Sequence, residues 1–234
     1  MADSQKTNAR SPLLQELGLE LDADMVGVAA LDDWKGTRLE ETVLGLLPQA
    51  KSVVVLAMEI YPEVLNLTSP QRVTGAASTN DLYAQHTDYI NGRLTKAAYD
   101  IAKAFHRQGL KALPLPAAGC PMDGRFQEAV FSYKHAGEAA GLGKMGWHSL
   151  LITPNFGPKA RLACCLTEAE LGSTRADFNN ECASCGICLE ICPAKALFEP
   201  EASQPYTINK YACCSYRSAA GGCSECMKLC PKGR

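Results

Sequence analysis

The sequence predicts an α+β protein built from two unequal parts, an α/β domain over residues 1–175 and a small cysteine-rich module over residues 176–234. Three observations carry that reading. Short, valine-rich apolar runs of strand length recur through the first part. A long segment between them has its apolar residues at three- and four-residue steps. Nine of the twelve cysteines fall after residue 181.

In chain order, Val26 to Leu31 and Ser52 to Met58 read as strands, with a helix from Arg38 to Leu47 between them, closed by Pro48. Residues 68–80 are polar and turn-rich and read as a loop. A helix follows over 81–108, in which Ile90, Leu94, Ala97, Ala98, Ile101 and Phe105 form a buried stripe and Gly109 terminates it. Lys111 to Leu115 reads as a strand, 117–124 as a loop and 125–140 as a second helix. Leu150 to Thr153 and Arg161 to Leu166 read as two closing strands joined by the turn at Pro154 to Pro158, and 168–180 as a polar linker.

Composition narrows the function. The net charge is −2 and the isoelectric point about 6.1, so there is no basic surplus and no nucleic-acid partner is expected. Met1 to Arg10 is polar, with neither an apolar core nor paired arginines of an export signal. The run Val53 to Met58 is far shorter than a membrane span, so no membrane association is expected. These features imply a cytoplasmic chain with reduced thiols, in which clustered cysteines read as metal ligands rather than disulfides.

The cysteine spacing is specific. Cys182-Ala-Ser-Cys185-Gly-Ile-Cys188-Leu-Glu-Ile-Cys192-Pro193 is the C-x2-C-x2-C-x3-C-P run of bacterial ferredoxins, in which the fourth cysteine serves the other of two [4Fe-4S] clusters. Cys223, Cys226 and Cys230-Pro231 form a second run lacking one upstream cysteine, which Cys213 or Cys214 can supply. Crossed ligation then assigns Cys182, Cys185, Cys188 and Cys230 to one cluster, and Cys192, Cys223, Cys226 and Cys213 or Cys214 to the other. Zinc sites are the competing reading of C-x2-C pairs, but two runs each ending in Cys-Pro favour clusters. Cys120, Cys164 and Cys165 read as ordinary buried thiols, the last two on opposite faces of a strand.

Gly141-Leu-Gly143-Lys144-Met145-Gly146 is a literal G-x-G-x-x-G. A dinucleotide fingerprint needs a strand before it and a helix after it, and here the order is reversed. Together with Ser149 to Ile152, Phe156-Gly157, Tyr211-Ala-Cys213-Cys214-Ser215-Tyr216 and the double cluster motif, it resembles the epoxyqueuosine reductase and reductive dehalogenase superfamily. The likeness is close from about Phe131 to Pro231 and favours Cys213 over Cys214.

That resemblance implies a nitroreductase-like α+β domain carrying cobalamin against a ferredoxin-like module. Electrons from a small donor such as ferredoxin or flavodoxin would pass singly through the clusters to cobalamin, and on to a small organic substrate. An alternative is an electron-transfer or reductive-activation protein serving a partner redox enzyme. A flavin in the first domain is a further alternative. Gly141, Gly143, Lys144, Met145, Gly146, Trp147 and Arg161 are the implied corrinoid contacts. The family's catalytic acid has Gln127 at its spacing. The dehalogenases of that superfamily use a tyrosine, which makes Tyr133 the first candidate proton donor, with Lys134 and His135 as alternates and Asp123 and Glu128 behind them.

Overall fold

A computed structural model of the chain describes residues 21–68, 77–118, 120–174, 178, 182–201 and 204–232, with 77–80 as backbone alone. Four strands form an antiparallel sheet in the order β1-β2-β8-β3: β1 is Met25–Ala30, β2 Ser52–Glu59, β3 Ala112–Leu115 and β8 Ala160–Thr167. β2 is central and buried along nearly its whole length, which is why it reads as a continuous apolar run rather than an alternating one.

Alternate residues of β2 enter two different cores. Val54, Leu56 and Met58 face the long helix α3, Ala77–Arg107, and pack with Leu94, Ile101 and Phe105. Val53, Val55 and Ala57 face α1, Arg38–Leu46, and α4, Tyr133–Ala139. Cys165 and Cys164 of β8 divide between the same two cores, as neighbours in a strand must. Each fully buried aliphatic side chain contributes about 1.5–3 kcal/mol, so this helix–sheet–helix sandwich holds the molecule together. A short helix α2, Pro62–Leu65, leads out of β2.

The stripe and stop of the long helix are found as expected, with Gly109 beyond its end at φ 78°. The helix begins at Ala77, inside the expected loop, and 69–76 lie outside the described residues. The expected second helix is corrected: it spans only Tyr133–Ala139, and the residues before it form a hairpin, β4 Met122–Asp123 paired with β5 Glu128–Ala129. The hairpin wins because Asp123-Gly124 is a turn former and Asp123 ties down Arg125 through both its amide and its guanidinium. Gln127 closes the turn at φ 48°.

The expected pairing across Pro154 to Pro158 is also corrected. β7, Leu151–Ile152, pairs with β6, Lys144–Met145, and not with β8. The linker expectation begins too early. Ala169 and Leu171 are buried, and Ser173 and Thr174 hydrogen-bond the edge of β1, so this stretch straps the sheet. No helix among the described residues is long and apolar enough to cross a membrane.

Candidate functional site

The cysteine-rich module is almost without a hydrocarbon core. Its elements are α5 Ile187–Ile191, a ribbon of β9 Leu197–Phe198 with β10 Thr207–Ile208, α6 Lys210–Ala219 and α7 Glu225–Lys228, with α5 packed on α7. Gly186 opens α5 in the left-handed region at φ 62°, and Asn209 caps α6 by accepting from the Ala212 amide at 3.0 Å. What packs at the centre is Cys192, Ala196 and Leu197, with Cys188, Cys213 and Cys226 against them. A core this small supplies little hydrophobic stabilisation of its own.

The thiols sort into neighbourhoods. Burial pushes Cys188 up to about 11, and the thiols next felt are Cys182, Cys230 and Cys185. Cys230, raised by burial, senses Cys182 and Cys185. Burial raises Cys213, which then feels Cys214, Cys192 and Cys223. Cys226 is pushed up to about 12 by burial and feels Cys223, Cys213, Cys188 and Cys192. Cys182, Cys185, Cys188 and Cys230 are thus near one another, as are Cys192, Cys213, Cys214, Cys223 and Cys226, with Cys188 also near Cys226. Among the described residues no three His, Cys, Asp or Glu are gathered as around a single ion.

The glycine loop has a local duty at each of its glycines. Gly141, at φ 69°, is the left-handed residue that closes α4: its amide donates to the Glu138 carbonyl and the Leu142 amide to Gly137. A Cβ on Gly143 would lie 2.1 Å from the Ile152 carbonyl oxygen. One on Gly146 would lie 2.6 Å from both His148 and Ile152. The space beside these two glycines is filled by the chain's own β7 and by His148.

Of the other loop residues, Lys144 is exposed and Met145 buried, while the Trp147 amide donates to Cys182 and so ties the loop to the first set of thiols. His148 is buried; its Nδ1 accepts from the Leu150 amide at 3.1 Å and its Nε2 has no partner. Burial, aided by Lys134, pushes His148 down to about 4, so the imidazole is neutral.

A cleft of about 590 Å³ runs between α1, the β4–β5 hairpin, the first turns of α4 and Tyr206. Glu128, one of the candidate acids, lines it together with Arg38, Gln127, Lys134, His135, Glu138 and Tyr206. His135 is held at both nitrogens, Nδ1 by Ser132 Oγ at 2.7 Å and Nε2 by Tyr206 Oη at 3.3 Å, and its ring stacks on Tyr206. Burial lowers its pKa, with Lys134 acting in the same direction. Lys134 Nζ donates to the Ser149 carbonyl at 2.5 Å. Burial lowers its basicity, and Cys213 and Cys226 are close enough to oppose that shift. One lysine thus lines the cleft, bonds the loop after the glycines and lies close enough to Cys213 and Cys226 to feel their charge.

Tyr133 does not line this cleft. Its hydroxyl donates to the Pro116 carbonyl at 2.6 Å, and burial, with Cys120 and Cys164 nearby, raises its pKa strongly. Asp123 is occupied by Arg125 and Glu128 by Arg38, at 2.7 and 2.5 Å. Arg161, at the start of β8, donates from Nε to Asn91 Oδ1 at 2.8 Å and lies near Arg217. Sequence reasoning missed Tyr206, Glu138 and Arg38 as lining residues. They lie far apart in the chain and carry no motif.

No family model matches the chain. It is 29% identical over 200 residues to a tetrachloroethene reductive dehalogenase of Desulfitobacterium hafniense, covering 77% of this chain and 32% of the relative. An epoxyqueuosine reductase of Synechocystis sp. aligns at 23% identity over 261 residues, 99% of this chain and 77% of the relative. The chain thus spans about a third of the length of the curated dehalogenases it matches. Among solved structures, a catabolic reductive dehalogenase superposes with a TM-score of 0.72 at 22% identity, over 94% of this chain and 31% of that one. An epoxyqueuosine reductase from Streptococcus thermophilus gives 0.57 at 18% identity, over 95% and 64%. Relatives and structural neighbours of both kinds support membership of the superfamily that joins the epoxyqueuosine reductases and the reductive dehalogenases.

Proposed function

We propose that this protein is a cytoplasmic iron–sulfur and corrinoid-dependent reductase acting on a small organic molecule, with a ferredoxin-like module at residues 176–234 and a nitroreductase-like domain before it. The observation that carries the reading is the crowding of nine cysteines into one small module, two of them near enough to act on a lysine that lines the cleft. Soft thiolate donors in fours suit [4Fe-4S] clusters. When bound, the clusters supply one-electron transfer and the corrinoid supplies a strongly reducing cobalt centre. A small carrier such as ferredoxin or flavodoxin is the electron source.

The remaining work falls to the chain. Arg38, Gln127, Lys134 and Tyr206 offer charged and hydrogen-bonding groups to hold a corrinoid and its substrate along the cleft. The glycine loop serves as the brace that joins α4 to the first set of thiols. His135, which lines the cleft with its nitrogens bonded to Ser132 and Tyr206, takes the place of Tyr133 as the proton relay, passing a proton through the hydrogen bond to Tyr206 Oη. A relay held at both nitrogens loses little orientation on reaction.

Cluster-loaded Cys188→Ser and Cys226→Ser test the division. Each is expected to remove or convert one low-temperature EPR signal and leave the other. Loss of both signals in each variant would contradict two separate sets. His135→Gln should cut turnover about 100-fold or more with iron content unchanged, and Tyr133→Phe should stay within a few-fold of wild type.

A further inference from the structure

A second pocket, of about 290 Å³, opens where α3, the start of β8 and the turn before α7 meet. Two guanidiniums, Arg161 and Arg217, face it together with Tyr83, Thr87, Ser224, Glu225 and Cys223, the last belonging to the second set of thiols. Arg161 is largely buried and locked by its Nε bond to Asn91, itself buried. Among the described residues neither arginine has a carboxylate within ion-pair distance. Asp88 attracts Arg161 only from farther off, while Arg217 repels it.

The other polar groups are already spoken for. Glu225 is paired with Lys228 Nζ at 2.6 Å, and that lysine also donates to the Thr68 carbonyl. Ser224 and Thr68 bond to each other, and Thr87 donates to the Ala84 carbonyl at 2.9 Å. That leaves the terminal nitrogens of two like-charged arginines and the Tyr83 hydroxyl as donors facing one small space. Arg217 also acts on the Cys213 thiol, but among the described residues no carboxylate is paired with either guanidinium, and an oxyanion between the two relieves their mutual repulsion through charge-assisted bonds.

We propose that this pocket binds the oxyanion end of a small molecule, a carboxylate or phosphate group, between Arg161 and Arg217 with Tyr83 as a third donor. Only the source of the anion rests on the reading given under Proposed function: it is an acidic group on the substrate or the phosphate of the cofactor's nucleotide arm.

The test uses the cluster-loaded chain in low-salt buffer, with inorganic phosphate and acetate titrated by calorimetry. Arg161→Gln and the exposed Arg217→Gln should each weaken phosphate binding about tenfold or more, with iron content unchanged. Lys103→Gln, on the exposed side of α3, should leave it unchanged. Cobalamin compared with cobinamide, which lacks the nucleotide phosphate, separates the sources. Weakened cobalamin but unchanged cobinamide binding in both variants assigns the pocket to the cofactor. Phosphate binding that persists in cobalamin-loaded wild type and is lost in the variants assigns it to substrate. Phosphate affinity equal in wild type and the double variant would overturn the proposal. So would a changed cluster EPR signal with unchanged phosphate affinity, since the arginines would then serve only as counter-charges to the cluster. A chain that takes up no corrinoid yet binds phosphate through both arginines would overturn the corrinoid reading alone.

Discussion

Gly143→Ala separates a packing glycine from a cofactor-cradling one. The added methyl group would stand 2.1 Å from the Ile152 oxygen, 2.8 Å from the Ile152 carbonyl carbon and 3.1 Å from the Thr153 Cα. All three are backbone atoms, and that backbone is pinned. Lys144 pairs with Ile152, Met145 with Leu151, and Thr153 and Gly157 exchange amide bonds of 2.8 and 3.0 Å. Normal van der Waals separation requires the ribbon to open by roughly 1 Å or more. Overpacking of that kind costs about 1–3 kcal/mol. For a chain of this size the melting temperature falls by about 2–4 °C per kcal/mol. The assay is urea unfolding with thermal melting alongside, followed by iron analysis, because the Trp147 amide beyond the ribbon reaches Cys182. Lower stability with reduced iron retention is expected. Wild-type stability with a selective loss of corrinoid affinity would refute the argument and return Gly143 to the cofactor.

Three further outcomes follow from the same geometry. Cys213→Ser should abolish one cluster EPR signal and Cys214→Ser should keep both, because Cys213 packs in the module core with Cys192 and Cys226. His148 titrates near 4 when folded but near its ordinary value when unfolded, so the unfolded chain binds the extra proton between those limits. Stability should therefore fall as pH drops through that window, by roughly 3 kcal/mol in all, and His148→Gln should flatten the acid limb of a denaturation-against-pH curve. Gly45→Ala, in α1 with nothing near its Cβ position, should stabilise the chain by about 0.5–1 kcal/mol in urea unfolding.

The legible parts of the sequence were those where one physical signal dominates. β2 announced itself by an unbroken valine run, and α3 by a stripe long enough to outlast chance. The crowding of nine cysteines after residue 181 marked out the thiol-rich module. The misread helix at 125–140 had Phe126 and Val130 at helical spacing, but both are exposed, and the Asp123-Gly124 turn outweighed that periodicity. The short strands β6 and β7 were illegible because two residues carry no period. The cleft was harder still. Arg38, His135 and Tyr206 meet only through the tertiary fold, and which way Tyr133 turns depends on the Pro116 carbonyl, 17 residues away.

The most direct test of the central claim is iron and cobalt analysis of anaerobically purified chain, with a visible spectrum recorded after cobalamin is added. The account predicts about eight irons per chain, as two four-iron clusters require, together with stoichiometric corrinoid uptake. Eight irons without corrinoid uptake would contradict the reductase reading and leave an electron carrier for a partner enzyme. Zinc in place of iron would contradict the account at its root.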